Sequence, residues 1–280
     1  GIGTGFAQKI LPRNPENIKK YIFNKLNKSQ TKVNLDPWYK GFTGSIEQDK
    51  ETQSWIFSGK MTIKNTTTIE ITELPPGYTL SSYNSILAKL EEKKIIKEYE
   101  DLSENDKFHF ILSVRREFTQ ENTVQEIMEI LKLQKRVSEN FTCVDENNSI
   151  IELTSAKEII DSYIKIRLFY YDKRKKYLLS KYEEEMSILE SKALFIEKVI
   201  NNEIKINNKP KADIEKQIKK FEFIIKINDS YEYLLKMPIY SLTLEKFEEL
   251  KQKAKDKKKE IMMLKKQTNE DLWILDLKEK

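Results

Sequence analysis

Thr154–Val199 reads TSAKEIIDSYIKIRLFYYDKRKKYLLSKYEEEMSILESKALFIEKV, a run without Gly or Pro. Thr154-Ser155 offers a helix cap at its start. Ile159, Tyr163, Ile166 and Tyr170 then step by four, three and four, the spacing of a heptad seam. The pattern predicts one helix passing Tyr177 and Tyr182 towards Val199, about 65 Å long at 1.5 Å per residue. A second seam lies near the end of the chain: Phe247, Leu250, Ala254, Ile261 and Leu264, among the charged residues Lys251 to Lys259. Two such helices predict an antiparallel coiled coil, with 154–199 leading out, 245–280 returning, and 200–244 forming a helical knob between them.

Working outward, the front of the chain has a different composition. All seven glycines lie at or before Gly77, and only Pro210 and Pro238 follow it. Asn14-Pro15-Glu16 predicts a helix start, because Asn caps and Pro suits the first turn. Ile18, Tyr21, Ile22 and Leu26 mark its apolar face. Residues 55–61 and 68–73 read as strands, the second stopped by Pro75-Pro76-Gly77. Residues 81–96 read as a helix, 107–114 as a strand and 119–132 as a helix. Residues 141–144 and 150–153 pair as a hairpin across Asp145–Ser149. The fold class expected is α+β: a mixed α/β module with a small sheet, then the long coiled coil and its knob.

Composition narrows the function. The 280 residues are 39% hydrophobic and 34% charged, which suits long exposed helices. No run of about 18 apolar residues occurs, so no membrane-spanning segment is expected. No secretion-signal pattern opens the chain. Cys143 is the single cysteine, which excludes an internal disulfide framework and a Cys-rich zinc site. An intracellular location fits, and the absence of an initial Met suggests a piece of a longer polypeptide. Net charge is +5, but residues 1–40 carry +6 and the rest −1. A basic front segment on a near-neutral body suggests contact with a polyanion, a solvated helix face being the alternative.

Catalytic constellations are missing. His109 is the only histidine, inside a predicted strand, and its expected role is structural. One His and one Cys leave no convincing Ser-His-Asp triad or Cys-His pair. Glu183-Glu184-Glu185 cannot all face one way on a helix, so no metal site is expected there. The glycines at 1, 3 and 5 are not followed by Gly-Lys-Ser/Thr, so they form no phosphate-binding P-loop. No catalytic residue and no metal ligand is assigned to this stretch of chain.

A set of collinear motifs carries a resemblance. Gly1-Ile2-Gly3-Thr4-Gly5, with Lys9-Ile10-Leu11-Pro12 and Asn14-Pro15, resembles the segment that follows the DNA-cleaving domain of type IIA DNA topoisomerases. Gly41-Phe42-Thr43-Gly44-Ser45-Ile46-Glu47 is similar to that family's G-x-x-G-x-I-E strand. Thr68-Ile69-Glu70-Ile71-Thr72-Glu73-Leu74-Pro75 is similar to its T-x-E-I-T/S-E-L-P strand. Arg167 to Lys175 resembles its R-L-x-Y-Y-x-x-R-K helix, and Asn208-Lys209-Pro210 and Tyr231 to Met237 complete the set. The style is nearer the eukaryotic and large-virus enzymes than bacterial gyrase.

The resemblance implies roles for these parts. Residues 1–30 would connect to the DNA gate, 31–153 would form the tower domain beside the bent duplex, and 200–244 would be the exit-gate (C-gate) dimer surface. Ile2 falls on the family's DNA-bending residue, an apolar wedge between base pairs. Lys9 and Arg13 are expected on phosphates. Tyr78 matches an aromatic near the DNA, although the register slips by one and Gly77 replaces a frequent Arg. The implied partners are double-stranded DNA and a second copy of the chain. The family's nucleophilic Tyr and its neighbouring Arg lie N-terminal to the opening motif, so Mg2+, ATP and strand cleavage would belong to the full-length isomerase. The implied location is the nucleus in a eukaryote, or the host cytoplasm or nucleus for a virus. A non-enzymatic coiled-coil scaffold or DNA-architectural protein is the alternative.

Overall fold

The computed structural model describes residues 5–104 and 107–278. The chain divides into two compact units, Gly1–Tyr163 and Ile164–Lys280.

The first unit holds three antiparallel sheets rather than one small one. The first is β1 (Ser45–Gln48), β2 (Trp55–Ser58) and β7 (Gln134–Val137), in the order β1-β2-β7. The second comprises β3 (Lys60–Asn65), β4 (Thr68–Glu73), β5 (Glu98–Asp101) and β6 (Phe110–Ser113), in the order β3-β4-β6-β5. A two-stranded hairpin, β8 (Phe141–Val144) with β9 (Ile150–Leu153), pairs Phe141 with Leu153 and Val144 with Ile150. The single strand expected over 55–61 is therefore split. At Gly59 the chain leaves one sheet and enters the next. A Cβ there would sit 2.3 Å from the Glu73 carbonyl oxygen, so only glycine fits the corner.

Around the second sheet lie α2 (Leu80–Glu92), α3 (Arg116–Glu121) and α4 (Val124–Ile130). Thr79 caps α2 in a reciprocal box with Ser82, and Thr123 caps α4 in one with Glu126. Those caps explain two shorter helices where one was expected over 119–132. The helix expected over 81–96 stops at Glu92 because Lys94 turns left-handed, at φ 57°. Ile69 and Ile71 of β4 alternate inward. They meet Tyr83, Leu87 and Leu90 of α2, Phe110 and Leu112 of β6, and Ile127 of α4 in one buried cluster. A smaller cluster joins Leu11, Trp55, Phe57 and Val137.

The first helix, α1 (Pro15–Leu26), starts where expected: the Asn14 side chain accepts from the Glu16 amide at 2.9 Å. Tyr21, Ile22 and Leu26 are buried. Tyr21 Oη donates to Asp161 at 2.8 Å, and Lys25 pairs with the same carboxylate at 3.2 Å.

The second unit contains most of α5 (Ala156–Ile200), one helix of 45 residues. It continues with α6 (Lys211–Ile218), α7 (Glu232–Leu235) and α8 (Leu244–Lys266), and ends in α9 (Asn269–Lys278). Contacts along α5 and the final helices run in opposite sense. Ala193 and Ile196 pack with Leu250, Glu185 pairs with Lys257 at 3.2 Å, and Glu183 pairs with Lys265 at 2.8 Å. Lys175 Nζ donates to the Gln267 carbonyl at 2.5 Å, and Tyr171 Oη donates to Asp276 at 2.6 Å.

Two expectations need correction here. The buried positions near the start of α5 are Ile164 and Tyr171, whereas Tyr163 and Tyr170 are about half exposed. The seam is shifted by one residue because Tyr171 stacks on Trp273 (centroids 5.7 Å apart) and reaches Asp276. The return is also two helices, not one. The chain breaks at Gln267-Thr268, where Thr268 and Asp271 cap α9 reciprocally at 2.9 and 3.0 Å. On α8 the expected Leu250, Ala254, Ile261 and Leu264 are all buried.

Between α5 and α8, Phe195, Ile204, Ile214, Ile218, Ile224, Tyr231 and Leu234 form a local core. Buried Ser191 ties it together: its hydroxyl donates to the Phe223 carbonyl at 3.4 Å and accepts from the Ile225 amide at 3.1 Å. Outside that core, Phe223, Ile239 and Tyr240 are each more than four-fifths exposed.

Candidate nucleic-acid interface

The basic front segment forms a strap pinned to the sheets behind it. Gly5, at φ 84°, takes a conformation that costs glycine little. Gln8 Nε2 donates to the Thr142 carbonyl at 3.0 Å. Lys9 and Asn140 exchange both backbone hydrogen bonds, at 3.0 and 2.9 Å. Leu11 enters the core beside Trp55 and Phe57, and the Pro12 carbonyl accepts from the Trp38 amide at 2.8 Å. The strap is held by its backbone and by Leu11, which leaves the Lys9 side chain exposed. Among the described residues, no carboxylate pairs with that ammonium.

Arg13 is placed differently. Its side chain is 6% exposed and faces Glu139, itself 5% exposed, with Nη1 and Nη2 at 2.5 and 2.7 Å from the two carboxylate oxygens. Nη1 also donates to the Leu11 carbonyl at 2.6 Å, and Nε to the Leu35 carbonyl at 2.8 Å. Four of the five guanidinium donors therefore point into the protein. Glu139 is equally engaged: besides Arg13 it accepts from the Leu11 amide at 2.8 Å and from Trp55 Nε1 at 2.9 Å. A cleft of about 630 Å³ opens beside this cluster, lined by Arg13, Asp36, Gln48, Trp55, Glu139 and Lys157 among others.

Tyr78 lies in the turn between β4 and α2. Its ring packs edge-on against Tyr83 (centroids 5.7 Å apart), and Lys135 Nζ sits 5.6 Å from its centroid. Half-burial pushes its hydroxyl pKa up. Gly77, at φ 94°, shapes the turn. No described hydrogen bond or ring contact joins Tyr78 to Lys9 or Arg13. Ile2 lies outside the described residues.

The remaining basic side chains of the front segment, Lys20, Lys25, Lys28, Lys32 and Lys40, are exposed, and Lys19 is half-buried. His109 Nε2 lies 3.2 Å from Glu70, which also binds Lys64 at 2.7 Å; the Lys64 contact, then His109, lowers the Glu70 pKa. Among the described residues, no three His, Cys, Asp or Glu side chains converge on a metal-sized site, and no helix is long and apolar enough to cross a membrane.

Sequence reasoning missed Glu139, Trp55 and Lys135. Glu139 stands 126 residues from Arg13, and no local pattern links the two. Trp55 carried a usable signal, since a buried indole N–H needs an acceptor. Lys135 reads as one more surface charge until β7 brings it to the Tyr78 ring.

A basic strap anchored on antiparallel sheets, followed by a 45-residue helix and a compact helical end, points to one class: the DNA-handling cores of type II topoisomerases. The DNA gyrase/topoisomerase IV family model matches residues 1–278, and the chain belongs to that family. It is similar to the mitochondrial DNA topoisomerase 2 of Dictyostelium discoideum, with 30% identity over all of this chain and 22% of that protein. The DNA topoisomerase 2 of Plasmodium falciparum is 32% identical over 99% of this chain and 22% of that protein. That of Invertebrate iridescent virus 6 is 27% identical over 100% and 25%. The chain thus spans about a fifth to a quarter of the length of these relatives. Among solved structures, the Plasmodium falciparum topoisomerase II DNA-binding, cleavage and re-ligation domain superposes with a TM-score of 0.82 and 31% identity. The match covers 99% of this chain and 42% of that one.

Proposed function

We propose that this chain is the DNA-bending and exit-gate part of an ATP-dependent type IIA DNA topoisomerase, an enzyme that cuts one duplex, passes a second through it and reseals the break. The observation that carries this is the superposition on the Plasmodium DNA-binding, cleavage and re-ligation domain along 99% of the chain. Residues 1–30 would approach the cleaved duplex, and 31–153 would be the tower beside it. The helix from 154 and the return from 245 would form the coiled coil, with 200–244 as the C-gate.

In this assignment Ile2 enters the stacked bases as a wedge. Unstacking a base step costs a few kcal/mol, offset by the extra protein surface that bent DNA reaches. The glycines at 1, 3 and 5 remove the Cβ atoms that would hold the backbone away from the groove. Lys9, exposed on a fixed backbone, neutralises a phosphate, and its position restricts where the duplex lies. Tyr78 and the neighbouring Lys135 give a second, weaker contact, an aromatic edge with an ammonium over it.

The homodimer is assigned to the knob, where Phe223, Ile239, Tyr240 and Leu244 are left exposed beside a complete local core. Strand cleavage through a tyrosyl-phosphate belongs to residues outside this chain. So do ATP and Mg2+: the residues here include neither a P-loop nor, among those described, a cluster of metal ligands. A eukaryotic chain of this kind would work in the nucleus, a viral one in the host nucleus or cytoplasm.

The test uses the complete protein. With ATP and Mg2+ it should relax supercoiled DNA by changing linking number in steps of two. Ile2→Ala should reduce both cleavage and the bend of a duplex labelled at each end for fluorescence transfer. An unchanged bend removes the wedge role from Ile2, and linking-number steps of one remove the type II assignment.

A further inference from the structure

We propose that Glu139 is a positioning residue for DNA bending: its carboxylate locks the Gly5–Arg13 strap in one register on the sheets, and so aims the residues immediately upstream. The inference rests on the wedge role proposed for Ile2, three positions before Gly5.

The geometry is that of a clamp. One carboxylate, 5% exposed, accepts from the Leu11 amide (2.8 Å), from both Arg13 terminal nitrogens (2.5 and 2.7 Å) and from Trp55 Nε1 (2.9 Å). The Leu11 amide and Arg13 belong to the strap, and Trp55 belongs to β2. Glu139 itself follows β7, two residues after Val137. Its two oxygens thus join the strap to adjacent strands of one sheet, β2 and β7. A bidentate Arg–carboxylate pair adds directional restraint to its energy, which a point charge does not. The backbone exchange between Lys9 and Asn140 lies next to it on both chains, so strap register is fixed at two adjacent points.

This changes the part played by Arg13. With four donors satisfied inside the protein, its guanidinium is directed at Glu139 and the Leu11 and Leu35 carbonyls rather than at phosphate. Lys9 is left as the phosphate ligand on a strap that the Arg13–Glu139 pair holds still. A wedge needs such a support. The force that separates two base pairs acts equally on the segment carrying the side chain, and a strap free to slide would yield before the stack opens.

The experiment uses the complete protein carrying Glu139→Gln, and separately the double variant Arg13→Gln/Glu139→Gln, which leaves no unpaired buried charge and so protects against misfolding. Three quantities are read: hydrogen exchange at the Lys9 and Phe57 amides, duplex affinity, and duplex bend by fluorescence transfer. Lys9 is informative because its acceptor, the Asn140 carbonyl, is untouched by either substitution. Exchange at Lys9 should rise by about tenfold or more while Phe57 is unchanged, as expected for local rather than global opening. The bend should fall towards that of Ile2→Ala, with duplex affinity reduced by no more than about threefold, because the exposed lysines remain. Unchanged exchange at Lys9 overturns the clamp. Raised exchange with a native bend, while Ile2→Ala lowers the bend, overturns the positioning role. If Ile2→Ala itself leaves the bend intact, the wedge role is what fails, and exchange at Lys9 alone decides whether Glu139 holds the strap.

Discussion

Phe110 and Ile261 are both core residues, but of different kinds of core. Phe110 has no exposed surface. It is paired across the sheet with Ile71 on one side and Asp101 on the other, and its ring meets that of Tyr83 at 5.2 Å. Everything it touches was brought together from distant sequence. Ile261 belongs to a single stripe on α8 with Leu250, Ala254 and Leu264, and the faces beside it carry lysines and carboxylates. The first unit is stabilised in depth, whereas α8 depends on one narrow seam flanked by ion pairs. A layered core resists local opening, while a narrow seam lets a long helix remain soluble on its other faces.

The sharpest way to break this contrast is truncation at each site. Phe110→Ala should cost about 3–5 kcal/mol, since it removes an aromatic from a site with no room to collapse. Ile261→Ala should cost about 2 kcal/mol, the low end for such a change, because water already reaches the edges of the seam. Denaturant unfolding of each variant, followed by a probe in each unit, checks both values. Equal losses would mean that the seam is packed as well as the sheet core.

What was legible in the sequence follows the same division. The seam on α8 could be read because its spacing is unambiguous. The seam on α5 was misread by one residue, since Tyr163-Ile164 and Tyr170-Tyr171 place apolar residues on adjacent faces and only the partner helix chooses between them. Trp273 and Asp276 made that choice by engaging Tyr171. The strand order of the three sheets was not readable, although Gly59 marked the corner between two of them. The candidate site was readable where a motif carried it, at Ile2, Lys9 and Tyr78. The Arg13–Glu139 pair was not, because an arginine looks alike in sequence whether it faces phosphate or a carboxylate 126 residues away.

Alkaline pH should separate the two cores more gently. Burial pushes the Tyr83 hydroxyl far up from its usual value of 10, and it donates to the Leu131 carbonyl at 2.9 Å. Burial, then Asp276, also raises the Tyr171 hydroxyl. For a raised pKa, the folded state holds a proton that the unfolded chain releases. The stabilisation is complete below pH 10 and is lost as pH rises above it. Each such proton contributes a fall of about 1.4 kcal/mol per pH unit. Unfolding free energies from pH 8 to 11 should therefore decline beyond pH 10, less steeply in Tyr83→Phe. Identical slopes for the two proteins would exclude Tyr83 as a source of the decline.

At the exposed end of the second unit the expected change in stability is near zero, which makes the dimer assignment easy to challenge. Ile239→Ser with Tyr240→Ser should leave unfolding within about 0.5 kcal/mol of the parent, as for other surface changes. The same pair should weaken self-association of the complete protein, measured by sedimentation across a dilution series. Unchanged association would move the dimer contact away from these two side chains.

The smallest effects lie in the ion pairs beside the α8 seam, and they distinguish two lysines that look equivalent in sequence. Lys265 meets Glu183 at 2.8 Å with both side chains about half exposed, so Lys265→Ala should cost about 0.2–0.5 kcal/mol. Lys257 is 21% exposed, meets Glu185 and Glu260 at 3.2 and 2.8 Å, and lies 4.5 Å from the Tyr182 ring centroid. Lys257→Ala should cost nearer 1 kcal/mol, because its stem packs and its ammonium faces both carboxylates and an aromatic face. Raising the salt to about 1 M shortens the screening length to about 3 Å, which should erase the Lys265 difference and leave most of the Lys257 one. If both losses vanished together in salt, Lys257 would be acting through charge alone, and packing along the seam would stop at the buried apolar stripe.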